Sequence, residues 1–409
     1  MNASAPLRRG PALALAMLAG VAVFMSFPAW DHYALAFVAL APLMRACDGR
    51  SVAGALGLGW LMGFVTNLGG FYWIALMAKT YGYMPWPLAL GLLVLLAAQQ
   101  ALAWSIGAGI ATWAQRRGVA GYVSWPAGIA VAEAALPMVF PWRFGHSQYL
   151  NTPIAQLAEL GGVGLISVWL VSVNAAVYAL LWRRGDPRLA SLLIAVPAAA
   201  ALAWGAGRAA DVEDEAAAAP TIRVGMVQAN IALGDKGGEA SLLDNLRVHQ
   251  RLSLRAVEQG AELLVWPETA YEGPAYSYAN VEVADEAAAR LASRVRRVLT
   301  RDVTWIPTGT SASSGHGATP HAELAPQLDH RVPLLTGVVM YSERTPEERA
   351  RSAPRGGQPP SHWAHNAALL LAGDGRVLGS YDKSLLMPFT EHVPLGHWMW
   401  RVAGVNLYD

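Results

Sequence analysis

Two short segments, far apart in the chain, hold residue types that could do acid–base and oxyanion chemistry together. In the first, the apolar run Leu263-Leu264-Val265-Trp266 is stopped by Pro267 and followed at once by Glu268. A run of this kind reads as a buried strand, which puts the carboxylate at a strand end, where open α/β folds keep their reacting groups. In the second, Tyr381-Asp382-Lys383 follows another strand-like stretch, and Met387-Pro388-Phe389-Thr390-Glu391 adds a further acid after a proline. Carboxylates and ammonium groups are the side chains that move protons and stabilise oxyanions. Taken singly, Glu268 is equally a solvated residue after a strand and Lys383 an ordinary surface lysine; the resemblance between the two segments is what favours a site.

The elements that must position these residues follow from periodicity. A soluble domain begins near Thr221, with a strand at 222–228, an amphipathic helix at 242–259 and the strand at 263–266. A helix at 283–299 and a strand at 303–307 continue the alternation, and 334–341 and 367–371 read as adjacent strands. Asp374-Gly375 is a strong hairpin turn between Leu371 and Val377. The alternation predicts an α/β sandwich, with residues 310–330 and 343–361, rich in Gly, Pro, Ser and charge, as loops.

The first half is a different material. Hydrophobic residues make up 54% of the chain and charged ones only 14%, yet almost all the acid lies after residue 210. Apolar spans are predicted at 11–27, 32–46, 52–78, 87–113, 120–140, 163–182 and 189–204, about seven transmembrane helices, the first preceded by Arg8 and Arg9 and retained rather than cleaved. Alternate loops carry Arg8 and Arg9, Arg45 and Arg50, Arg116 and Arg117, then Arg183, Arg184 and Arg188, whereas the others carry only Lys79 and Arg143. By the positive-inside rule the N-terminus is then cytoplasmic and everything after residue 205 lies across the membrane, in a bacterium the periplasm. The predicted organisation is a transmembrane domain at 1–207, a solvated linker at 208–220 containing Asp211-Val212-Glu213-Asp214-Glu215, and a periplasmic domain at 221–409.

Gly59-Trp60-Leu61-Met62-Gly63 has the small-residue spacing of closely packed helices. Glu133 is the one acid inside a predicted span; it is either functional or sited at an uncertain helix end. In the outer loop Phe140-Pro141-Trp142-Arg143-Phe144-Gly145-His146-Ser147-Gln148, Arg143 is a candidate phospholipid-headgroup contact or an interface anchor. A net charge of +1 gives no case for nucleic acid as a partner. The one cysteine, Cys47, excludes a disulfide framework and a thiolate zinc site, and is expected to pack as a small apolar residue. His362 and His365 lack a third ligand at suitable spacing, so no metal and no cofactor is expected.

Trp266-Pro267-Glu268 combined with Tyr381-Asp382-Lys383 and Pro388-Phe389-Thr390-Glu391 resembles the nitrilase, or carbon–nitrogen hydrolase, superfamily. With a multi-span half in front, and with Asn67-Leu68-Gly69-Gly70-Phe71-Tyr72-Trp73 and the 140–148 loop, the whole chain resembles its apolipoprotein N-acyltransferase family. The resemblance implies a multi-span α-helical membrane domain followed by an α/β nitrilase-like sandwich, incomplete at its C-terminus. It implies a monomer of the bacterial inner membrane that moves an acyl chain from a phospholipid donor to the N-terminal amine of a diacylglyceryl lipoprotein through a cysteine thioester. Glu268 would be the general base, Lys383 the oxyanion stabiliser and Glu391 the supporting acid. The family's nucleophilic cysteine lies beyond the Pro-Phe-x-Glu segment, where this sequence has none, and Thr390 stands where glycine is usual. The chain alone is therefore expected to be an inactive, C-terminally truncated form. The alternative is a membrane-anchored binding protein with a nitrilase-like domain and no catalysis.

Overall fold

The computed structural model describes residues 6–80, 82–182, 187–232, 239–277, 332–343, 362–371 and 377–385. The chain divides into two compact units, Met1–Ala219 and Pro220–Asp409. The helix expected at 283–299, the strand at 303–307, the loop at 310–330, all of the loop at 343–361 except Glu343, the Asp374-Gly375 turn and Glu391 lie outside the described residues.

The first unit is helical: α1 (Arg9–Met25), α2 (Ala41–Cys47), α3 (Val52–Gly70), α4 (Trp73–Thr80), α5 (Trp86–Gln100), α6 (Leu102–Gln115), α7 (Gly121–Ala135), the single turn α8 (Thr152–Ala155), α9 (Ala158–Leu181) and α10 (Pro187–Ala218). Their ends follow local chemistry. Ser51 caps α3 by accepting the Gly54 N–H at 3.2 Å, prolines open α2 and α5, and Gly118 takes up φ +91° beyond α6. Glycines set the closest helix packing. A Cβ on Gly59 would lie 2.5 Å from the Trp104 carbonyl oxygen, and one on Gly63 2.8 Å from the Trp104 ring, so the Gly59–Gly63 spacing does bring α3 against α6. Asn174 of α9, fully buried, fastens the short 3-10 turn Tyr33–Phe37: its amide donates to the Ala36 carbonyl at 2.7 Å and its oxygen accepts the Leu40 N–H at 2.8 Å.

Among the described residues three helical segments are long and apolar enough to cross a membrane: Val52–Gly70, Trp86–Gln115 and Ala158–Leu181. The segment expected to span at 32–46 is not one continuous helix but a 3-10 turn followed by the two-turn α2, shorter than the three segments above. That expected at 52–78 breaks after Gly70 into α3 and α4. The acidic stretch read as a linker is helical, because α10 runs on to Ala218 with those residues exposed. There Arg208 of α10 reaches Glu159 at 2.8 Å and Glu215 at 3.0 Å.

The second unit is a sheet with one described helix, α11 (Glu239–Glu258). Its strands are β1 (Val224–Met226), β2 (Leu263–Val265), β3 (Tyr271–Ser277), β4 (Leu334–Glu343), β5 (His362–Leu371) and β6 (Val377–Asp382). The order is β1-β2-β4-β5-β6; β1, β2 and β4 are parallel, and β4-β5-β6 antiparallel. β3 also pairs with β4 in parallel, further along the same strand, so β2 and β3 occupy one side of β4 with a turn between them. Leu264, Val338, Leu369 and Leu371 form the core with Leu246 of α11.

Candidate active site

The turn between β2 and β3 carries Glu268. Trp266 fixes its start: the indole is buried, its Nε1–H donates to Ser253 Oγ of α11 at 2.8 Å, and its ring lies 4.9 Å from that of His249. The Trp266 N–H still belongs to the ladder, donating to the Leu335 carbonyl at 2.8 Å. Pro267 has no N–H to continue it, and the chain leaves the sheet there. Ala270 N–H closes the turn onto the Pro267 carbonyl at 3.2 Å, with Thr269 in the left-handed region at φ +52°. A non-glycine residue held at positive φ costs energy that surrounding structure must offset, and such residues cluster at functional sites.

Gly337 of β4 makes that turn possible. A Cβ there would stand 2.6 Å from both Glu268 Cα and Thr269 N, while the Gly337 N–H donates to the Pro267 carbonyl at 3.3 Å. The turn rests directly on β4 backbone.

Lys383 arrives from the β5–β6 pair. Ala367 and Asp382 are register partners, and the Lys383 N–H donates to the Asn366 carbonyl at 2.8 Å, extending the ladder one residue past β6. The Lys383 ammonium then lies 2.9 Å from Glu268 Oε1, and the Asn366 amide donates to the same oxygen. The pair is open to solvent, with the lysine side chain 30% and the glutamate 60% exposed. The structure thus brings Glu268 and Lys383 together and adds Asn366, which sequence reasoning missed. One proton acceptor and one fixed cation side by side at a strand end is an arrangement able to activate a nucleophile and hold an oxyanion.

Arg143 lies in the other unit, exposed, at the start of a 3-10 turn Phe144–Gln148, its guanidinium against Gly164 of α9. Three contacts hold the turn. Glu133 Oε1 accepts the Phe144 N–H at 2.8 Å, Ser167 Oγ accepts the Gly145 N–H at 2.9 Å, and His146 Nδ1 accepts the Arg143 N–H at 2.9 Å. Glu133 therefore anchors this loop. Cys47 is buried in the core of its own unit, as its apolar surroundings suggest. Among the described residues no group of three or more His, Cys, Asp or Glu could hold a metal ion.

These features define a class: a protein with a helical, membrane-type unit followed by an α/β unit presenting a glutamate–lysine pair at a strand end. A family model described as the apolipoprotein N-acyltransferase N-terminal domain matches residues 19–176. An apolipoprotein N-acyltransferase of Geobacter metallireducens is 28% identical over 394 residues, 93% of this chain and 64% of the relative. Those of Chromobacterium violaceum and Pseudomonas putida are each 32% identical over 279 residues, 66% and 64% of this chain and 52% of the relative. The chain belongs to the apolipoprotein N-acyltransferase family. It spans between about half and two thirds of the length of these curated relatives.

Proposed function

We propose that the chain serves lipoprotein N-acylation in the bacterial inner membrane, moving an acyl chain from a phospholipid to the N-terminal amine of a diacylglyceryl lipoprotein. The observation that carries this reading is the Lys383–Glu268 contact of 2.9 Å on a turn that Gly337 allows to lie against the sheet. Support also comes from relatives of that name covering most of the chain. In this reading the second unit is nitrilase-like and periplasmic, the protein is a monomer, and seven spans are completed by α1, α7, the 32–47 region and the apolar first part of α10. Arg143 meets the donor headgroup and Glu391 supports the pair.

The chemistry divides into two steps. Glu268 takes the proton of a thiol, and the thiolate attacks the phospholipid ester carbonyl. Lys383 stabilises the oxyanion, the ester C–O bond breaks, and the proton returns to the departing lysophospholipid alkoxide. The lipoprotein amine, unprotonated, then attacks the thioester and releases the thiol. Cys47, buried in α2, is not that thiol. Residues 1–409 alone are therefore proposed to form no acyl-enzyme, which is also what a non-catalytic binding role would give.

Mass spectrometry of a diacylglyceryl lipopeptide incubated with phospholipid vesicles and the native product of the gene tests the proposal. The lipopeptide should gain one acyl chain on its amine, and Glu268→Gln should slow this by about 10²–10⁴-fold. Absence of transfer by the native product would remove the acyltransferase reading and leave the binding role. An undiminished rate in the Gln variant would remove Glu268 from the chemistry, and a thioester on residues 1–409 would contradict the assignment of the thiol.

A further inference from the structure

The helical unit also carries an apolar groove. It runs between α3 and α6, is lined by Val52, Leu56, Ile106, Gly109, Ile110 and Trp113, and encloses about 360 Å³. Its floor is tightly packed: a Cβ on Gly109 would come within 2.6 Å of Leu56 Cδ2, so the Leu56 side chain of α3 lies directly against the α6 backbone there. Every lining residue is apolar, and Trp113 at one end is half exposed.

That end is cationic. The Arg117 guanidinium lies 4.0 Å over the Trp113 ring, and Arg116 Nη1 donates to the Arg50 carbonyl at 3.3 Å, next to the Ser51 cap of α3. The N–H groups of the first turn of α3 add positive potential at the same end. Arg116 and Arg117 are both exposed, and among the described residues neither is paired with a carboxylate, unlike Arg45, which meets Asp48 at 3.4 Å. An apolar slot with exposed, uncompensated guanidinium groups at one mouth complements a molecule with a hydrocarbon tail and an anionic head.

We infer that the α3–α6 groove holds one acyl chain of an anionic phospholipid, with its phosphate at Arg116 and Arg117. The site is built from one unit only and does not rest on the acyl-transfer reading. It takes a bound lipid as a structural ligand rather than as a donor.

Native mass spectrometry of the purified chain, released from detergent containing equal amounts of phosphatidylglycerol and phosphatidylethanolamine, tests it. One phosphatidylglycerol should be retained in preference. Changing Arg116→Gln and Arg117→Gln together should cut that retention by about tenfold and leave phosphatidylethanolamine unchanged. Ile110→Trp, which fills the groove and keeps the arginines, should abolish the preference; melting in detergent alone identifies a variant that has lost its fold. Equal retention of the two lipids by the wild type, or a preference that survives the arginine changes, would mean ordinary boundary lipid and overturn the inference.

Discussion

Gly337→Ala is the substitution whose effect the geometry fixes most tightly. The added Cβ would stand 2.6 Å from Glu268 Cα and from Thr269 N and 2.7 Å from the Pro267 oxygen, 0.8 Å inside the 3.4 Å at which ordinary contact begins. All three neighbours are backbone, so no side chain can swing away. The turn must lift, against its bonds of 3.3 Å to Gly337 and 3.2 Å across its own ends. Overpacking of this kind costs about 1–3 kcal/mol. Lys383 is held separately by β6, so the lift opens the Glu268–Lys383 contact by nearly the same distance, and a misplacement of about 1 Å can cost about 10²-fold in rate. Gly379→Ala is the control, because a Cβ there meets nothing within 4 Å. Thermal unfolding and lipopeptide acylation by the native gene product, compared for the two alanine variants, read both effects. Equal behaviour of the two would refute the claim that close approach at Gly337 sets the position of Glu268.

Three further outcomes are expected. Lys383→Met removes an ion pair whose members are 30% and 60% exposed, so unfolding should shift by under about 1 kcal/mol while acylation falls by about 10²–10³-fold; a large stability loss with unchanged turnover would make the lysine structural. Asn174→Leu leaves the buried Leu40 N–H and Ala36 carbonyl without their partner at about 1–3 kcal/mol each, so melting in detergent should fall clearly, and an unchanged midpoint would show those bonds replaced by others. Partial burial, together with the charge of Arg143, holds the His146 imidazole below its usual 6.5, and its Nδ1 accepts an N–H, as only the neutral ring can. A lowered folded-state pKa leaves stability intact above about pH 6.5 and costs stability as pH falls through that value towards the lowered one. The stability advantage of the wild type over His146→Gln should therefore shrink from pH 7 to pH 5, and a constant difference would contradict it.

Much of the second unit was legible because its strands are short apolar runs with strong punctuation: Pro267 after Trp266, and the antiparallel β5–β6 pair on either side of Asp374-Gly375. β3 was not, since Tyr271-Glu272-Gly273-Pro274 contains two strand breakers and is a strand only by pairing with β4. Asn366 escaped for a related reason. It belongs to the polar first half of β5, ahead of the apolar run, and meets Glu268 across a separation of 98 residues that no local pattern encodes. In the membrane-type unit hydropathy located apolar segments but not their breaks, which depend on packing at Phe71-Tyr72 and around Asn174. The acidic stretch of α10 read as solvated, and its residues are exposed. Alanine and glutamate are nonetheless strong helix formers, and the helix persists where Arg208 bridges Glu159 and Glu215.

The most direct measurement is zero-length carbodiimide coupling of the chain in detergent, read by peptide mass spectrometry. Carbodiimide activates a carboxylate, and an amine in contact displaces it as an amide, so an ammonium 2.9 Å from Glu268 should be captured. Lysines are sparse in this sequence, at positions 79, 236 and 383, which keeps the products few. The expected result is a peptide containing Glu268 joined to one containing Lys383, lost in Lys383→Met. If Glu268 is instead labelled freely by an added amine with no Lys383 product, the two residues do not share a site and the proposed chemistry has no place to occur.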